Sequence, residues 1–173
     1  MKKVLLIASL IVMLASCGKG SKGSDTTNKF IASFIDSVEK AYPNRIGNDI
    51  VCKKVIDDFG ERIKGMPIEQ VFEGIDFYVF MFRYNKIEET GDVISVFSLS
   101  PENGGFKVNI NCDDIEEDLA MKIDERKVYR ITGGTLVDVS NHGIISGLEE
   151  VNLGDIKVSK IKVEEVPGKE HKN

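Results

Sequence analysis

Residues 74–112 read GIDFYVFMFRYNKIEETGDVISVFSLSPENGGFKVNINC, and the fold is decided there. Before Gly74 the apolar residues recur every three or four positions. After it they recur every two, which marks a change from helix to sheet. The first strand, Phe77 to Tyr84, is almost wholly apolar, with Tyr78, Phe80, Phe82 and Tyr84 on one face and Phe77, Val79 and Met81 on the other. Both faces therefore need cover. A polar loop from Asn85 to Gly91 leads to a second strand at Val93 to Leu99. The turn Pro101-Glu102-Asn103-Gly104-Gly105 then leads to a third at Phe106 to Cys112. The third alternates cleanly, with Phe106, Val108, Ile110 and Cys112 inward and Lys107, Asn109 and Asn111 outward.

Toward the N-terminus, Phe30, Ile31, Phe34, Ile35, Val38 and Ala41 form the stripe of an amphipathic helix over 28–42, with a cap among Thr26 to Asn28 and a stop at Pro43. A second helix over 48–63 carries Ile50, Val51, Val55, Ile56 and Phe59 on one side, and Gly65-Met66-Pro67 breaks it. A short helical turn with Ile68, Val71 and Phe72 follows. The aromatic stripe of the first strand then has two competing uses. It can pack beneath these helices, whose Phe30 and Phe34 need a partner, or it can stack on bases or sugars. Packing accounts for it in amount and chemistry, leaving Tyr84, nearest the loop, as the ring expected to be exposed.

Toward the C-terminus, the run DDIEED at 113–118 predicts a short helix capped by Asp113 or Asp114. Calcium coordination competes for those carboxylates, but the glycine and spacing of an EF-hand are missing. A fourth strand is expected at Lys127 to Leu136 and a fifth at Asp155 to Glu165. The fifth slips by one between Val158 and Ile161, so a β-bulge at Ser159 and Lys160 is needed to keep Ile156, Val158, Ile161 and Val163 inward. Gly133-Gly134 reads as a bulge or tight corner, since no lysine or following helix supports a phosphate cradle. The loop over 138–154 is long, and Pro167 to Asn173 reads as a frayed polar tail.

Three meandering strands, a helix and two closing strands is the element order of an OB-fold, a five-stranded Greek key. The expected class is α+β, with N-terminal helices over 28–74 packed on a five-stranded OB-fold-like antiparallel barrel over 75–166, in one globular domain. Over that second range the chain resembles the tRNA-anti-like OB domains of envelope lipoproteins, through LAMKIDERKVYRITGG at 119–134 and the late segment Val151-Asn152-Leu153-Gly154-Asp155. The helical prelude departs from that pattern and keeps a cystatin-like or other α+β sheet in contention.

The N-terminus carries an address. Met1-Lys2-Lys3, an apolar run from Val4 to Leu14 and a small-residue site before Cys17 follow the order of an export signal over 1–16. As a helix that run reaches about 16 Å, too short to span a bilayer. Leu14-Ala15-Ser16-Cys17 resembles the lipobox of bacterial lipoproteins. The resemblance implies a diacylglyceryl group on the Cys17 sulfur, cleavage before it and acylation of the new amine, so the membrane is a partner through the lipid. Residues 18–27, GKGSKGSDTT, have the composition of a flexible tether, with a reach of about 15–20 Å. They lack the acidic cluster that marks surface export in some such lipoproteins, and position 18 is Gly and not Asp. The expected location is the outer membrane, facing the periplasm.

Chemistry is sparse in this sequence. Losing Lys2 and Lys3 with the leader takes the net charge from −5 to about −7, so nothing attracts nucleic acid. Cys52 and Cys112 are an even pair in an oxidising compartment, which admits a disulfide, and the competing reading is two small thiols packed among apolar neighbours. His142 lies in the Asn141-His142-Gly143 loop and His171 in the tail. No serine elbow, zinc-binding helix or paired catalytic carboxylates can be read from spacing, so neither a catalytic residue, a metal nor a cofactor is expected. The 85–91 and 141–143 loops would share one mouth of an OB barrel, which makes Tyr84 and His142 the candidate ligand-binding residues. The expectation is a non-catalytic module for a protein or other envelope ligand, with an oligosaccharide-binding or hydrolytic envelope protein as the alternative.

Overall fold

The computed structural model describes residues 28–102, 105–140 and 150–172. The leader, Cys17, the tether and His142 lie outside them. Helix α1 (Lys29–Ala41) starts where Asn28 accepts a hydrogen bond from the Ile31 amide at 2.9 Å. The same side chain donates to the carbonyls of Val71 and Glu73, each at 3.0 Å. A buried cap thus satisfies the helix start and ties it to the turn that precedes the sheet. Helix α2 (Asp49–Ile63) is capped likewise by Asn48, and α3 (Ile68–Val71) follows Pro67. Phe30 and Phe34 pack on Phe59 of α2, with ring centroids 6.3 and 5.0 Å apart. The helices therefore find their aromatic partner among themselves, and the expected union with the first strand's stripe is corrected.

The sheet comprises β1 (Phe77–Lys86), β2 (Val93–Pro101), β3 (Phe106–Cys112), β4 (Lys127–Ser140) and β5 (Val151–Glu170), with α4 (Glu117–Ala120) between β3 and β4. The strands lie in the order β1-β2-β3-β5-β4 and close into a ring. The fold is α+β, a closed five-stranded mixed sheet plus helices. The sheet is not antiparallel throughout, because β3 and β5 run parallel. A ring with an odd number of strands cannot alternate direction at every contact, and this pair is where the alternation fails. The other contacts, β1 with β2, β1 with β4, β2 with β3 and β4 with β5, are antiparallel.

Two bulges set which side chains face inward. In β1 the register slips between Val79 and Met81, leaving Phe80 without a cross-strand partner. Phe77 and Val79 are buried before the slip, Phe82 and Tyr84 turn inward after it, and Phe80 is left 59 % exposed. The expected four-residue aromatic stripe is thus split, since an extra residue moves the following side chains to the other face. In β5 the bulge lies where the sequence placed it: Lys160 takes φ +50°, and Ile156, Val158 and Ile161 are all buried. Opposite it, Gly134 takes φ +139°, and a Cβ there would lie 2.6 Å from the Val158 methyl Cγ1. Only glycine fits that corner. Strands β4 and β5 run beyond their expected bounds, and β5 absorbs most of the tail expected to fray, through Glu170 paired with Lys127.

Candidate functional site

Past its bulge β1 pairs with β2 as a ribbon, Phe82 opposite Phe97, Tyr84 opposite Ser95 and Lys86 opposite Val93. Phe82 meets Phe97 edge to face at 6.2 Å. Tyr84 is half-buried against the rim of the core, so the expectation that it is the exposed ring is corrected in favour of Phe80. The ribbon's turn is closed by the Ile87 amide donating to Asp92 O and the Gly91 amide donating to Ile87 O, both at 2.8 Å. Ser95 donates to the Asp113 carbonyl, and Lys86 reaches Glu117 of α4 at 3.4 Å. These contacts fix the Tyr84 end of the ribbon to the β3–α4 connection. By strand alternation Met81 and Ile94 face the opposite way from Tyr84, and both are exposed.

Contrary to expectation, neither Asp113 nor Asp114 caps α4: the N-cap is Glu116, without a side-chain hydrogen bond. Asp114 instead accepts from Ser159 Oγ at 2.6 Å and from the Lys160 amide at 3.0 Å, and its Oδ1 lies 3.1 Å from Cys112 Sγ. One carboxylate thereby clamps the β5 bulge to the end of β3. The hydrogen bond from Ser159, with those from Lys160 and Cys112, holds the Asp114 carboxyl below the usual carboxylate range. Asp113 pairs with Lys157 at 2.6 Å.

Cys112 is buried and Cys52 half-buried on α2, and both are free thiols. Burial pushes each thiol up, and Asp49 adds to this at Cys52. Neither is held as a reactive thiolate.

A second cluster surrounds Asp76, just ahead of β1. Its carboxylate bonds Arg130 at 2.7 Å and also Lys169. Burial pushes Asp76 up, but the two cations outweigh it and the carboxyl lies below its ordinary value. His171 stacks on Tyr78 with ring centroids 4.1 Å apart, its Nδ1 is 2.8 Å from Glu102 Oε2, and its amide donates to Arg126 O at 2.9 Å. Residues 169–171 thus form a strap across the seam between β1 and β4, which themselves share only Phe77 with Tyr129 and Tyr78 with Val128. Nearby, Asp124 is gripped by Arg126 through its guanidinium at 2.9 and 3.0 Å, which holds the carboxyl down to about 2.

Among the described residues no group of three or more His, Cys, Asp and Glu side chains is placed to hold a metal ion. Asp76, Asp114 and His171 escaped sequence reasoning because each acts across 40 or more positions of chain, beyond any local pattern. Comparison with family models, curated proteins and solved structures finds no match to this chain. No described helix is long and apolar enough to cross a membrane.

Proposed function

We propose that the chain is a lipid-tethered envelope protein whose ring of strands is an OB-like barrel, serving as a non-catalytic binding module for a protein or other envelope ligand. The ring order, three meandering strands followed by α4 and two strands that close it, is the observation that supports the OB-like reading. The lipobox resemblance at Leu14-Ala15-Ser16-Cys17 supports the tether, with Cys17 acylated and the domain facing the periplasm from the outer membrane. Ligand enters at the mouth that Tyr84 and the His142 loop would share.

Two measurements test this. Mass spectrometry of the protein extracted from bacterial membranes in detergent is expected to find an acylated N-terminal Cys17. An unmodified thiol, or an intact leader, overturns the tether. Crosslinking of the full chain in the envelope is expected to yield one dominant adduct, weakened about fivefold or more by Tyr84→Ala or His142→Ala, as for residues central to an interface. An adduct indifferent to both substitutions overturns the proposed mouth.

A further inference from the structure

A hollow lies between α2 and β4. It holds about 780 Å3, within the range of about 300–1,000 Å3 typical of binding sites. Residues 134–139 of β4 line it without a gap. The register with β5 slips between Leu136 and Asp138, so the run presents both side chains and the backbone edge on the far side of β5 to the hollow. That edge has no strand partner among the described residues: over 135–140 β4 pairs only with β5, and β1 meets β4 only at Val128 and Tyr129. An unpaired edge is a template for another strand, and natural proteins blunt it with lysine, proline, a bulge or a covering element. Among the described residues the one such device is the slip at Val137, which leaves residues on both sides of it able to pair. Here the segment is TLVDV, with neither lysine nor proline, and Val137 is 56 % exposed.

The helical layer approaches β4 closely near Gly60 and near Gly134, and between these places Thr135, Val137 and Asp138 are exposed. At one, the missing side chain of Gly60 lets α2 approach until a Cβ would sit 3.2 Å from Val139. At the other, Ile68 of α3 comes within 3.5 Å of where a Gly134 Cβ would be. The span between is five residue steps, about 17 Å, room for an extended segment of about five residues. The lining carries Asp57, Glu61 and Asp138 against Lys64, which already leans on Glu61 at 3.7 Å. Among the described residues Asp57 and Asp138 have no ion-pair partner, so the lining has negative charge to spare.

We propose that this cleft receives an extended, lysine-bearing segment of a partner protein, which pairs as an added strand with the free edge of β4 over Thr135–Val139 while its lysines meet Asp57 and Asp138. Strand addition supplies affinity through main-chain hydrogen bonds, and the carboxylates select the partner's charge. The proposal does not depend on the lipid tether or on the Tyr84 mouth.

The test uses the full chain in detergent and a fluorescent peptide of about ten residues, alternating lysine with threonine and valine, long enough to overrun the span. Saturable binding is expected, weakened about tenfold by the double substitution Asp57→Asn and Asp138→Asn and abolished by a proline at the peptide's centre. Amide hydrogen exchange at 135–139 is expected to slow about tenfold or more when peptide binds, as local opening is suppressed. Absence of binding, equal binding of the proline peptide, indifference to the carboxylates, or protection confined to other strands each overturns the proposal. Sedimentation that shows a dimer already protected at 135–139 without peptide overturns it too, in favour of a second copy of this chain.

Discussion

Asp114 links two parts of the chain about 45 positions apart: the end of β3, through its neighbour Cys112, and the β5 bulge, through Ser159 and the Lys160 amide. A run of acids before an apolar stretch reads as a helix cap, and nothing local in DDIEED distinguishes the capping use from this one. Asp114→Asn keeps the shape and removes the charge, so the expected loss of stability is about 1 kcal/mol, kept small by solvent screening at this exposed site. Because the folded-state pKa of Asp114 is depressed, its stabilisation is fully present above the unfolded carboxylate value and is lost as pH falls through the lower folded one. The denaturant midpoint of the natural protein is therefore expected to fall between pH 6 and pH 3 by more than that of Asp114→Asn. Parallel decline of the two would remove the carboxylate from this role. Asp76, also depressed by its two cations, contributes in the same direction and window in both proteins.

At the scale of elements, legibility follows the range of the forces involved. The helices α1 and α2 are readable because caps and 3.6-residue stripes are local: Asn28 caps α1 within the expected range, and α2 starts just after Asn48. The β5 bulge was readable too, since a one-residue slip in apolar phase has no other remedy. The β1 bulge was not: FYVFMFRY is apolar on both phases, so inserting Phe80 disturbs no visible alternation. Of the candidate mouth, Tyr84 is placed at the end of the β1–β2 ribbon, whereas His142 falls outside the described residues, as does the lipid-attachment residue Cys17. The β4 corner rests on Gly134, whose φ of +139° and 2.6 Å clearance from Val158 exclude a side chain. Gly134→Ala is expected to cost about 2–4 kcal/mol, combining strain with overpacking. Thermal unfolding that shifts by no more than a degree would contradict this account of the corner.

For the whole molecule, the strap at 169–171 makes the seam between β1 and β4 depend on groups far outside either strand. Ending the chain after Pro167 removes the Lys169 bond to Asp76, the Glu170 pairing with Lys127 and the His171 stack on Tyr78. The expected loss is about 1–3 kcal/mol, read from the urea midpoint, with faster amide exchange at Phe77 and Tyr78. Unchanged exchange there would mean that the two registered pairs hold the seam unaided. The position of β5 between β3 and β4 has a wider consequence. Until residues 151–170 have been synthesised, β3 and β4 each lack the neighbour on one side, and no shorter nascent chain can complete its hydrogen-bonded circuit. Contacts so distant along the polypeptide form slowly. If the chain is exported as proposed, that delay keeps it threadable through a narrow translocation pore until its final strand is made.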